Sequence, residues 1–234
     1  MPGSPPKTGC VCTAGIARAS RRGPSCFYAH GNGGNVTDCY WKVRFLTEKL
    51  GVSVLCFDYR GFGKSEGTAS EEGILKDARA ARRWLAIRTG VKESDIVLLG
   101  TSLGGAVAVD LAARDGARGL ILESTFSSIP DVADSKRVKL GSAMSIQLDS
   151  QSKIRNYHGP LLQSHGEGDD VVPIALGEKL FAAANQPKQF VRIKRGGHMA
   201  PPSREYQLAL DQFFRSLPPV TGQWSTPSRS SAAR

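Results

Sequence analysis

The run LLGTSLGGA, residues 98 to 106, sets one hydroxyl, Ser102, between Gly100 and the pair Gly104 and Gly105. A strand-like apolar run leads into it and a helix-like run leads out, the surroundings that turn a weak GxSxG match into a nucleophile elbow. Glycines there let strand and helix approach closely, and the free N–H groups at the start of the helix, beginning with Leu103, can face an oxyanion. The chemistry such a turn serves is attack of a serine oxygen on a carbonyl. A serine hydroxyl is too weakly acidic to attack unaided, so a base must take its proton and a third group must fix the base's tautomer.

The chain has four histidines. His30 and His165 each precede a glycine at a strand end, and His158 lies in a connector, so each reads as a local hydrogen-bonding residue. His198 follows Gly196 and Gly197 after the last strand, at the carboxyl edge where open α/β sheets bind ligands, and is the candidate base. The orienting acid belongs to the stretch HGEGDD, in which Asp169 and Asp170 compete one residue apart. His165, Glu167 and Asp169 also alternate as metal ligands on a strand face would, although Gly166 has already ended that strand.

Short apolar runs alternate with longer amphipathic ones, which predicts a mostly parallel sheet with helices on both faces. The strands are read at 26–29, 52–57, 95–100, 119–123, 160–164 and 189–194, with helices near 36–50, 71–88, 103–114, 174–184 and 203–216. The stretch 124–159 is too long for an ordinary connection and reads as a small helical lid. Its Phe126, Ile129, Met144 and Ile146 either line the acyl side of a substrate site or bury the lid on the body. One domain is expected over 24–217. Residues 1–23 and 218–234, rich in Pro, Gly, Ser and Arg, read as loosely attached tails.

Taken together, FYAHGNGGN, FDYRGFGKSEG, LLGTSLGGA, HGEGDDVVP and GGHM resemble the α/β-hydrolase superfamily, and in it the small-lid serine hydrolases that include esterases, thioesterase-type depalmitoylases and peptidase-like members. The resemblance implies an α/β-hydrolase fold and places the acid at Asp169, with Val172 and Pro173 in step behind it. It also implies a second oxyanion donor at the backbone N–H of Asn32. The order Ser102, Asp169, His198 is that of this fold. The implied activity is cleavage of a carboxylic ester or thioester through an acyl-enzyme, on a small-molecule or acylated substrate and with no metal or other cofactor. Transfer to an alcohol or thiol would use the same residues, and a hydrolase-like binding or scaffold protein is the alternative from another class.

Other readings fit less well. HGNGGN matches neither GxGxxG nor GxxxxGK[ST], and in the Walker-like echo Gly63-Lys64-Ser65 the first glycine would fall at Asp58. The net charge of +10 includes six basic residues in the tails, leaving 10 − 6 = +4 for the body. No nucleic-acid recognition motif accompanies it. The five cysteines form no CxxC pair, and Cys10 and Cys12 lack the second pair of a metal clip, so free thiols in a reducing compartment are expected. No apolar run approaches the roughly 20 residues of a membrane span, and no secretory signal is visible, which makes a cytoplasmic location the expectation. Superfamily members usually carry two further strands before the one ending in FYAHG. Those strands are expected to be missing here, since VCTAGIA offers at most one short strand, and VSVLCF would then be an exposed apolar edge.

Overall fold

Runs such as SCFYA and VLLGT are apolar at consecutive positions, so both faces of each strand must be covered. They form the interior of a seven-stranded sheet in the computed structural model, which describes residues 12–19, 23–138 and 146–221. The strands are β1 (Ala14–Ala17), β2 (Ser25–Ala29), β3 (Ser53–Phe57), β4 (Val97–Thr101), β5 (Gly119–Glu123), β6 (Leu161–Gly166) and β7 (Lys188–Ile193). Their order is β1-β3-β2-β4-β5-β6-β7, with β1 antiparallel to β3 and all other pairs parallel. The direction of winding reverses between β2 and β4. Loops leaving the carboxyl ends of those two strands diverge there, and open α/β sheets bind ligands in that crevice.

The period-2 alternation of side chains sends neighbouring residues to opposite faces. Phe27, Leu55, Leu98 and Leu120 join one buried cluster with α2 (Glu71–Thr89), α3 (Leu103–Asp115) and α6 (Ile174–Ala183). Cys26, Val54, Val97, Leu99 and Ile121 join the other, under α1 (Tyr40–Leu50) and α7 (Arg204–Ser216). Each fully buried Leu or Val in these layers contributes about 1.5–3 kcal/mol relative to exposure. Helix boundaries follow local chemistry. Ser70 caps α2 by accepting from the Gly73 N–H, Glu71 and Glu72 occupy its first turn, and Gly90 ends it in the left-handed conformation.

Contacts at both ends bear on the tails and the strand edge expected from the sequence. Within the stretch read as a loose tail, Ala14–Ala17 pair with Val54 to Phe57, so β3 is not an exposed edge. The AGIA segment carries few β-branched residues, and only the open edge of β3 selects a strand there. At the other end Thr221 donates its N–H and hydroxyl to Asp95 (3.0 Å each), and Arg118 donates to the Pro218 carbonyl, tying 218–221 to the body.

The lid stretch contains α4 (Ile129–Ser135), α5 (Ser150–Lys153) and a 3₁₀ turn at Ile154–Asn156. Glu71 accepts the N–H groups of Gln147 (2.7 Å) and Leu148 (3.1 Å), and Asp131 pairs with Lys179 on α6. Among the described residues, no helix is long and apolar enough to cross a membrane.

Candidate active site

Ser102 joins β4 to α3 with φ 52° and ψ −118°, a left-handed backbone that a non-glycine residue adopts only when its surroundings hold it there. Three hydrogen bonds do so. Its N–H donates to the Glu123 carbonyl (2.9 Å), while its own carbonyl accepts from Thr125 Oγ1 (2.8 Å) and from the Gly105 N–H (2.9 Å). The neighbouring glycines are needed for close approach. A Cβ at Gly100 would stand 2.2 Å from the Gly104 carbonyl oxygen, and one at Gly104 would stand 1.9 Å from the Ala29 carbonyl oxygen. Ser102 is 9% exposed, at the N-terminus of a 13-residue helix whose first N–H groups, that of Leu103 among them, have no carbonyl within the helix to bond.

The loop after β2 passes beside this turn, since a Cβ on Gly31 would lie 3.4 Å from Ser102 Cβ; Asn32, the next residue, is exposed. Asp58 braces the loop. Its Oδ1 accepts the Val36 N–H (2.6 Å) and lies 3.3 Å from His30 Nε2, while Tyr59 Oη donates to the His30 carbonyl (2.9 Å). The FDYRGFGKSEG segment thus supports the HGNGGN loop directly, a link between motifs 22 to 29 residues apart.

Asp169 and His198 meet because the loops after β6 and β7 are laced together: Glu167 N–H donates to Ile193 O (3.1 Å) and Gly168 N–H to Gly196 O (2.8 Å). Asp169 Oδ2 lies 2.8 Å from His198 Nδ1 and 3.2 Å from His165 Nε2. Its Oδ1 accepts the N–H groups of Val171 (3.0 Å) and Val172 (2.8 Å). Burial of this fully covered side chain opposes ionisation, but the hydrogen bonds from His165, His198 and Val172 outweigh it and hold the carboxyl well below the usual carboxylate range. An ionised Asp169 accepts from Nδ1–H, which leaves His198 Nε2 as the basic nitrogen. The imidazole is 14% exposed.

The competing Asp170 is exposed, and its carbonyl accepts from Lys136 Nζ of the lid stretch. Glu167 is exposed while His165 and Asp169 are buried, so the three do not share a metal-binding environment; among the described residues no group of three or more His, Cys, Asp or Glu could hold a metal. His158 is exposed. Of the four lid residues, Phe126 belongs to the core at 3% exposure, and Ile129 and Ile146 pack against that core. Met144 lies outside the described residues.

Two contributors escaped the sequence reading, and a third, His165, read as a local hydrogen-bonding residue, has Asp169 four positions on as its partner. Asp58 is the brace described above. Glu123 is tied to residues 81 and 83 positions away, a separation that leaves no local signal.

A profile of the alpha/beta hydrolase family matches residues 27–228. Among curated relatives, the uncharacterized protein Rv2307c of Mycobacterium tuberculosis is 37% identical over 202 residues, covering 83% of this chain and 70% of its own length. The lysophosphatidylserine lipase ABHD12 of Danio rerio is 36% identical over 186 residues, covering 70% of this chain and 48% of its own, so the chain spans about half of that relative. The solved structure of Est1E from Butyrivibrio proteoclasticus with ferulic acid superposes with a TM-score of 0.71 at 20% identity, over 89% of this chain and 94% of that one. Fold, elbow and matching profile agree, and the chain belongs to the alpha/beta hydrolase family.

Proposed function

We propose that this protein is a serine hydrolase that cleaves a carboxylic ester or thioester. The observation that carries the reading is the elbow serine in a left-handed backbone at the carboxyl edge of the sheet that also bears the Asp169–His198 hydrogen bond. Substrate binding brings Ser102 Oγ within reach of His198 Nε2, a contact that tightens in such sites when the substrate is present. His198 takes the hydroxyl proton as the oxygen attacks the carbonyl, and Asp169 keeps the imidazole in the required tautomer and stabilises the imidazolium. The developing oxyanion is held by the N–H groups of Leu103 and Asn32. Collapse of the tetrahedral species expels the alcohol or thiol, which receives the proton from His198. Water, activated by the same imidazole, then releases the acid.

A relative at 36% identity that carries the name of a lipase supports an acyl ester as the class of substrate. A lid this small favours an open site for short or medium acyl groups, and Ile129 and Ile146 serve to pack it on the body. Turnover of nitrophenyl esters and acyl thioesters of rising chain length, by the parent and by Ser102→Ala, tests the assignment. Hydrolysis by the parent and none by the variant is expected. Equal turnover by both, or an inert parent, rejects it.

A further inference from the structure

Beneath the elbow sits a carboxylate that the proposed reaction does not use. Glu123 ends β5 and is 6% exposed. Its Oε1 accepts from Tyr206 Oη on α7 (2.8 Å), and its Oε2 accepts from Thr101 Oγ1 (2.9 Å) and pairs with Lys42 Nζ on α1. Thr101 is the residue before the nucleophile, and its hydroxyl also meets Tyr28 Oη (3.3 Å) and Lys42 Nζ (3.4 Å). Lys42 Nζ stands 5.5 Å from the centroid of the Tyr28 ring. The Glu123 main chain accepts the Ser102 N–H, so one residue grips the elbow by backbone and by side chain.

The backbone around this carboxylate is strained at two adjacent strand ends. Ser102 (φ 52°) follows Thr101, and Ser124 (φ 47°) follows Glu123, while the side chains of Thr101 and Glu123 are bonded to each other. Such conformations persist only where neighbouring contacts over-determine them. On the far side, Tyr206 lies in the first turn of α7, shortly after the loop that carries His198. The carboxylate therefore spans the interval between the turn holding the nucleophile and the helix anchoring the base. With the Lys42 side chain 28% exposed, its pair with Glu123 is only partly withdrawn from water, and the effect is expected in geometry more than in stability. Burial pushes the Lys42 ammonium down to about 8.

We propose that Glu123 is a positioning residue of the hydrolytic site, fixing the Thr101–Ser102 step against the helix that follows the His198 loop through Tyr206, Thr101 and Lys42. The inference rests on Ser102 and His198 acting as nucleophile and base. Tyr206→Phe, Glu123→Gln and the double variant test it, each measured at 25 °C after circular dichroism and a thermal melt show folded protein. Misplacing a nucleophile by a fraction of an ångström to an ångström lowers turnover by about 10- to 100-fold, and that loss is expected in kcat for each single variant. KM should stay within about twofold, since no ground-state contact is removed. Fluorophosphonate labelling of Ser102 should slow in proportion, and the double variant should lose less than the product of the single losses. A lowered melting temperature with kcat and labelling unchanged would show a purely structural role and overturn the proposal, as would independent, multiplicative losses. If Glu123→Gln does not fold, Tyr206→Phe, which removes one hydroxyl, decides by the same readouts. A parent that neither labels nor turns over rejects the hydrolase reading itself, whereas an active parent matched by a fully active Tyr206→Phe rejects this inference alone.

Discussion

Replacing Gly104 by alanine adds one methyl group at the tightest point of the elbow. The new Cβ would lie 1.9 Å from the Ala29 carbonyl oxygen, 2.4 Å from its carbon and 2.6 Å from the His30 carbonyl oxygen. All three atoms are main chain, so no side-chain rotation relieves the overlap. Ordinary contact begins at 3.4 Å, so α3 and the end of β2 must separate by about 3.4 − 1.9 = 1.5 Å. Overpacking costs about 1–3 kcal/mol when side chains can adapt, and a backbone clash falls at the upper end, about 3 kcal/mol. For a domain of this length that corresponds to a fall in melting temperature of roughly 6–12 °C. The same displacement parts Ser102 from the Gly31–Asn32 loop, which at about an ångström or more lowers turnover by about 100-fold. A thermal melt and the rate of fluorophosphonate labelling measure the two effects on one sample. Gly104→Ala with the parent's melting temperature and labelling rate would refute the argument that glycine is there for close approach.

Asp169→Asn leaves His198 free to adopt the wrong tautomer, and kcat is expected to fall by about 10⁴-fold with the protein still folded; a loss smaller than about tenfold would contradict the role given to the acid. Because the folded carboxyl of Asp169 is held below its unfolded value, its contribution to stability is present above the ordinary carboxylate range and is lost as pH falls through the folded value. The melting temperature of the parent minus that of Asp169→Asn should therefore shrink below about pH 4, and a difference that stays constant on acidification would contradict the shift. Deleting residues 12–19 bares the β3 edge, where Val54, Leu55, Cys56 and Phe57 are buried, and is expected to raise light scattering on storage; unchanged scattering would mean that β1 does not protect that edge.

Most of the sheet could be read from the chain because parallel strands buried on both faces are continuous apolar runs, as at Gly119–Glu123. The elbow was legible for a related reason: its constraint is local, with the small residues, the serine and the helix start within seven positions of one another. VCTAGIA was read as one short strand at most, but its place was not legible, because AGIA has little strand preference of its own and pairs only where β3 offers an edge. Residue types alone left Asp169 and Asp170 open, and the resemblance placed the acid at Asp169, whose hydrogen bond to His198 spans 29 residues; the Glu123 network spans 22 to 83 and is encoded in no window of sequence. Phe126 was offered as a candidate for the substrate side on the strength of its lid position, but its 3% exposure places it in the core, because the residues just past β5 still lie under the sheet's helical layer.

The central claim is that the hydroxyl of Ser102 is the atom that attacks. Intact-protein mass spectrometry after treatment with a fluorophosphonate, followed by peptide mapping, tests it most directly. A single adduct on Ser102, absent from both Ser102→Ala and His198→Ala on the same time scale, is the predicted result. An adduct on another residue, or one that forms equally fast without His198, contradicts the account.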